Sequence, residues 1–222
     1  MRSTKITLFV FAISLLIIAG FLIYESNGTS TSPQSGNASQ KEIKAAKINP
    51  EKDSQNYKIG QAVDSLNNVY VYYNGKIGNV SGRHLASDGY NLGLKYQCVE
   101  FVKRYYYEHL DHKMPNSYGH AKDFFDSAVA DGDINPDRNL IQYKNPGGSS
   151  KPQANDLIVF DGTAFNKYGH VAIISEVFLY QLEIIQQNPG PSAPSRIKLD
   201  LIHTNGRWII DSKQVLGWLR KK

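Results

Sequence analysis

Five short runs crowd into the stretch from Asp156 to Ile210, each rich in Ile, Val or aromatic residues and bounded by Gly, Pro or Asn. They are Asp156 to Phe160, His170 to Phe178, Tyr180 to Asn188, Ile197 to His203 and Arg207 to Ile210. β-Branched and aromatic side chains suit a pleated surface and the intervening residues suit turns, so the pattern predicts five strands. An earlier run, Val69 to Tyr73, is followed by Asn74-Gly75 and reads as another strand with its turn. Between these regions the period changes. Val99, Val102, Tyr106 and Leu110 recur at helical spacing, which predicts a helix with one apolar stripe. A second helix is expected from His120 to Ala130, with Phe124, Phe125 and Val129 inward and Asp131-Gly132 as the stop. Helices first and an antiparallel sheet afterwards imply an α+β fold.

The first 56 residues have a different character. Arg2 and Lys5 precede 19 uncharged residues, Ile6 to Tyr24, dominated by Leu, Ile, Phe, Val and Ala. At about 1.5 Å rise per residue such a run crosses a hydrocarbon layer of roughly 30 Å. Residues 1–24 are therefore expected to be a transmembrane signal anchor, single-pass in the cell membrane, with the basic flank inside and the rest on the extracytoplasmic side. A cleaved and secreted form, cut near Ser26-Asn27-Gly28, is the alternative. Residues 25–56 are rich in Ser, Thr, Asn, Gln, Gly and Lys and lack an apolar period, so they read as a flexible tether. Residues 57–222 suit one domain with one core. That region holds 19 Lys plus Arg against 16 Asp plus Glu, and Arg220, Lys221 and Lys222 at the C-terminus supply the whole excess. Without a clustered basic face, nucleic acid is not expected as a partner.

Cys98 is the only cysteine, and it stands where a Gly-containing loop turns into the predicted helix. A helix N-terminus favours the thiolate, which is the nucleophilic form. An exported protein would be expected to pair its thiols, yet this one has no partner within the chain. A cysteine nucleophile needs a base, and histidine titrates in the useful range. His109 and His112 follow on the same helix, roughly 16 and 21 Å from the thiol by helical rise, too far to touch it. His84 in a polar loop, His120 at the start of the second helix and His203 before Asn205-Gly206 read as surface or capping groups. His170 differs, because Tyr168-Gly169 delivers it at the first residue of the most apolar strand. A strand end on a rigid sheet holds a catalytic group well.

The second nitrogen of such a histidine needs an acceptor. Along Ile184 to Asn188 side chains alternate, so Gln186 and Asn188 share a face of the next strand. An amide carbonyl there can orient the imidazole, and the residues alone leave both amides open as ordinary polar positions. A developing oxyanion would fall near the Cys98 backbone N–H and the Gln97 side chain. No Cys, His, Asp or Glu grouping has zinc spacing and no phosphate loop is present, so neither a metal nor any other cofactor is expected.

Five segments together resemble a known family. Tyr-Gln-Cys-Val-Glu-Phe-Val-Lys-Arg at 96–104, Asn-Asp-Leu-Ile-Val-Phe-Asp at 155–161, Tyr-Gly-His-Val-Ala-Ile-Ile at 168–174, Ile-Ile-Gln-Gln-Asn at 184–188 and Val-Leu-Gly-Trp-Leu at 215–219 follow the order of a CHAP domain, the cysteine, histidine-dependent amidohydrolase/peptidase. The pattern is most similar to the amidase part of glutathionylspermidine and trypanothione synthetase-amidases. The resemblance implies a papain-like fold related to the NlpC/P60 group, with Cys98 as nucleophile, His170 as base and Gln186 as the third residue, where the relatives carry Glu. Lys103 stands where the related amidases have Arg and is a candidate substrate residue. The implied activity is a thiol amidohydrolase or peptidase acting through a thioester on peptidoglycan peptides. The alternatives are an amidase for small amides such as glutathionylspermidine, or a weakened wall-binding module.

Overall fold

Alternation along the central strands sorts the core into two sides. Leu157, Val159, Val171, Ile173 and Ile185 pack with Phe101, Val102, Tyr105 and Tyr106, whereas Ile158, Ala172, Ile174 and Ile184 pack with Tyr143 and Trp218. Neighbouring residues of one strand face opposite ways, so each strand serves both clusters. A fully buried side chain of this size contributes roughly 1.5–3 kcal/mol through removal from water. The structure, a computed structural model, describes residues 57–190 and 192–222. The expected anchor and tether lie outside the described residues. Among the described residues no helix is long and apolar enough to cross a membrane.

The chain begins with the hairpin β1 (Ala62–Leu66) and β2 (Val69–Tyr72), followed by β3 (Arg83–Leu85) and β4 (Asn91–Leu94). Helix α1 (Cys98–Glu108) follows, then a single 3-10 turn at Ala121–Phe124. The remaining strands are β5 (Ile134–Asn135), β6 (Leu140–Lys144), β7 (Leu157–Phe160), β8 (His170–Val177), β9 (Gln181–Ile185), β10 (Arg196–Thr204), β11 (Arg207–Ile210) and β12 (Val215–Arg220). The last eight form one antiparallel sheet in the order β11-β10-β9-β8-β7-β12-β6-β5, and the first four form two separate hairpins. Among the described residues the architecture is α+β, with one α-helix against a sheet-dominated body.

The second helix expected from His120 to Ala130 does not form. Only one 3-10 turn is present, and Phe125 is already extended. Side chains from β5 and β6 take the backbone groups that a helix would use. Asn135 Nδ2 donates to the Phe124 carbonyl, Gln142 Nε2 donates to the Asp126 carbonyl, and Gln142 Oε1 accepts from the Asp126 N–H. Phe124 and Phe125 then pack on different parts of the core, with Phe125 against Gly217 in β12. Propensity lost to tertiary hydrogen bonding here.

Candidate active site

Helix α1 starts at Cys98, with Gln97 extended at its N-cap. The approach is close because β4 passes directly over the first turn. Gly93 has φ +126°, and a Cβ on it would lie 3.3 Å from the Glu100 backbone. A second glycine sets the base. Gly169 has φ +74°, and a Cβ there would meet the Phe160 carbonyl at 2.5 Å, so only glycine lets the chain turn into β8 at His170. Cys98 packs with Val171, the residue after His170, and the backbone N–H groups of Val171, Val99 and Cys98 itself favour the thiolate. The helix start and the strand start therefore meet at the thiol.

The charge state differs from the expected thiolate. Burial is the largest influence on Cys98 and pushes its thiol above the ordinary value, with the three N–H groups acting against it. Burial likewise pulls His170 from 6.5 down to about 4, against the opposing hydrogen bond to Gln186. Both groups rest neutral near pH 7. Desolvation in this pocket outweighs the helix terminus, because among the described residues no cation acts on the thiol to offset it.

Gln186 lies just past the end of β9 and is buried. His170 Nε2 and Gln186 Oε1 are 3.0 Å apart. Gln186 Nε2 donates to the Pro194 carbonyl at 3.1 Å. The next residue turns the other way, as strand alternation requires. Gln187 Nε2 donates to the Gln97 carbonyl and to Glu100 Oε2, and Gln187 Oε1 accepts from the Tyr72 N–H. Asn188 leaves the alternation altogether, with φ +57°, and its Nδ2 donates to Gln97 Oε1 and the Ile77 carbonyl.

Two expected site residues are placed elsewhere in function. Both N–H donors of the Gln97 amide are taken, one by the Asn79 carbonyl at 2.8 Å and one by the Ile77 carbonyl at 3.1 Å. That amide fastens the 77–79 loop and is not free to receive an oxyanion. Lys103 is buried, with Nζ bonded to the Asn91 and Ser117 carbonyls and lying over the Tyr90 ring. Five residues beyond Cys98 on a 3.6-residue helix, it sits on a different face from the thiol. It ties β4 to the 117 loop and does not line the site.

Glu100 was not singled out by sequence and is the most connected side chain of the region. It is buried and accepts from Arg104 Nε at 2.6 Å, from Gln187 Nε2 at 2.8 Å and lies 2.7 Å from His84 Nδ1. Burial alone would raise its carboxyl, but His84, Arg104 and Gln187 hold it below the ordinary value. His84 is thus a partner of Glu100 and not merely a surface group. The available signal was the i,i+4 spacing of Glu100 and Arg104 within an otherwise apolar first turn.

Beside Gln186 opens a cleft of about 410 Å³, walled by Tyr72, Tyr73 and Asn74 on one side and residues 189–190 and 192–196 on the other. Asp64 and Arg196 also line it, paired at 2.9 Å.

The structure thus brings toward one place a thiol at a helix start, an imidazole at a strand start and an amide just past the end of the adjoining strand. Residues 87–188 match the family model described as the CHAP domain. That family is one of hydrolases. The chain is similar to a trypanothione synthetase from Crithidia fasciculata, 31% identical over 149 residues, covering 63% of this chain and 23% of that protein. It is also similar to a glutathionylspermidine synthase from Crithidia fasciculata, 26% identical over 137 residues, covering 58% of this chain and 19% of that protein. The chain thus spans about a quarter or less of the length of these relatives. Among solved structures, the crystal structure of Ly7917 with the hydrolyzing product of MDP is 20% identical, with a TM-score of 0.37, covering 57% of this chain and 54% of that one.

Proposed function

We propose that this protein is a thiol amidohydrolase of papain-like organisation, with Cys98 as nucleophile, His170 as base and Gln186 as the residue that orients the imidazole. The observation that carries this reading is the meeting of the α1 and β8 starts at one sulfur, with His170 Nε2 engaged by Gln186. Because Nε2–H donates to the amide, Nδ1 holds the lone pair and accepts the thiol proton. The sulfur attacks the amide carbonyl, the proton passes from His170 to the departing amine, and water then hydrolyses the thioester. A neutral thiol and a neutral imidazole make proton transfer simultaneous with attack, so reactivity depends on their geometry rather than on a standing thiolate.

The substrate class proposed is the amide bonds of peptidoglycan peptides, met by a domain carried on the extracytoplasmic side of the membrane. The uncharged run from Ile6 to Tyr24 and the polar stretch after it support this placement. Full-length protein should release new amino groups from purified wall, and Cys98→Ala should abolish the release. Equal release by Cys98→Ala ends the proposal. The names of the two curated relatives favour a second substrate, a small conjugate such as glutathionylspermidine. Free spermidine appearing from that compound, with wall left intact, would transfer the assignment. The raised thiol and the uncharged Gln186 favour a weakened wall-binding module, for which wall should be retained on the protein without any release.

A further inference from the structure

The Gln186 amide cannot be turned around. With Nε2 on the Pro194 carbonyl, a flipped amide would set its oxygen against the Pro194 oxygen, so Oε1 faces His170 and the Nε2 of His170 must be the donor. The two residues that follow Pro194 are held from several sides. Gln186 N–H donates to the Ser195 carbonyl at 2.8 Å. Ser195 Oγ donates to Asp64 Oδ2 at 2.7 Å, and Arg196 Nε donates to the same oxygen at 2.9 Å. Residues 192–196 therefore present one main-chain oxygen to the Gln186 side chain and another to its backbone N–H, and they are anchored across to β1.

Resting on the reading of Cys98 and His170 as a working pair, we propose that the Pro194 carbonyl is a positioning group of the site: through Gln186 it fixes which nitrogen of His170 carries the proton, and it makes position 186 a place for an amide rather than a carboxylate. A carboxylate at 186 would accept from His170 but offer nothing to Pro194, leaving two oxygens opposed in a buried place. A protonated carboxyl, in contrast, reproduces the amide, its O–H donating to Pro194 and its C=O accepting from His170. The same segment walls the cleft beside Gln186, so whatever fills that cleft bears on the orientation of the base. The titratable and charged groups around position 186 are His170 on β8, Cys98 at α1, Asp64 on β1, Arg196 on β10 and the cleft tyrosines Tyr57, Tyr72 and Tyr73. Asp64 and Arg196 pair with one another.

The test uses full-length protein labelled with 15N-histidine, compared with Gln186→Glu. The wild type should show His170 as the neutral Nε2–H tautomer across neutral pH. Gln186→Glu should resemble wild type at acid pH, where the introduced carboxyl is protonated, and then lose about tenfold in Cys98 alkylation by iodoacetamide and in amide hydrolysis, relative to wild type at the same pH, as that carboxyl ionises. A conventional carboxylate-assisted site would move in the opposite direction. An Nδ1–H tautomer in the wild type overturns the proposal whether or not the variant folds. So does a Gln186→Glu protein as reactive as wild type at pH 8 with no such loss. The tautomer and the alkylation profile need no substrate. If they come out as expected while no amide is cleaved, the positioning role stands and the amidohydrolase reading falls.

Discussion

Gln186 and Gln187 are adjacent residues that serve opposite electrostatic regimes. Gln186 meets His170, a part-buried imidazole held uncharged, in the same site as a thiol held uncharged. Gln187 meets Glu100, a buried carboxylate held ionised by Arg104 and His84. The two clusters lie on either side of the first turn of α1. A fixed ion pair holds the helix start to β2 and to the end of β9, since Arg104 also donates to the Tyr70 carbonyl and Gln187 accepts from Tyr72. The neutral cluster is left with the protons that can move. Charge is concentrated where the chain must be held, and it is withheld where the proposed mechanism has a proton pass between two weak groups.

The division predicts that the two clusters fail in different ways. Removing the proposed nucleophile should break chemistry alone: Cys98→Ala should lower amide hydrolysis by about a thousandfold or more while leaving the melting temperature close to that of wild type. Side-by-side turnover and thermal melts check this. A large loss of stability in Cys98→Ala would show that the thiol also holds the fold, and the contrast would not stand.

Breaking the ionised cluster should do the reverse. Glu100→Ala leaves Arg104 charged in a place where its side chain is only 4% exposed, a change that costs about 3–5 kcal/mol of stability. Denaturant unfolding measures it, with Arg104→Met in the same background as the sharper test. The double variant removes both charges and should recover part of the loss, because an apolar pair has no charge to desolvate. Equal stability of Glu100→Ala and wild type would mean that Arg104 finds water, contrary to the burial seen here.

Acid should distinguish the clusters by where stability is lost. His170 has its value lowered by burial to about 4 from 6.5, so the unfolded chain binds more protons between these values. Its contribution is complete above about pH 6.5 and is lost as the pH falls toward about 4. Glu100 is also lowered when folded, from an ordinary 4.5, so its contribution is present above 4.5 and is lost as the pH falls through the folded value. Melting temperature against pH should therefore show a shallow decline first and a second one at lower pH. His170→Ala should remove the first and keep the second. Loss of both in that variant would mean the clusters are coupled.

The sequence made the apolar skeleton legible and the polar one largely not. The strands at 157–160, 170–177, 196–204 and 207–210 and the helix beginning at Cys98 coincide with runs that carry their own period. β3, β4 and β5 have two to four residues each and no period to read, and they exist because other elements hold them. The failed helix after His120 shows the same limit, since Asn135 and Gln142 decide it from elsewhere in the chain. At the site, the residue types and order of Cys98, His170 and Gln186 were readable. The neutral state of the thiol was not, because helix position is local whereas desolvation depends on everything that packs around the sulfur. Nor was the Pro194 carbonyl, a main-chain group that no residue pattern marks.

Lys103 gives the mildest expected change and the clearest check on that lesson. Its position after the cysteine suggests a substrate contact, whereas its surroundings make it a buried tie between two main-chain carbonyls. Burial lowers it from 10.5 to about 8, so it carries its charge at neutral pH against a desolvation cost. Lys103→Met keeps most of the stem that packs under Tyr90, gives up the two carbonyl bonds and relieves the buried charge. These effects oppose one another, and the net change in stability should stay within about 1 kcal/mol. The wild type should gain stability as the pH rises from about 8 to 10.5, because the unfolded chain holds the Lys103 proton longer, and the Met variant should lack that gain. Turnover and KM should remain within about twofold of wild type, since no transition-state contact has been removed. A tenfold rise in KM with stability unchanged would return Lys103 to the substrate site and would mean that the ionised, structural side of α1 reaches further into the chemistry than the hydrogen bonds indicate.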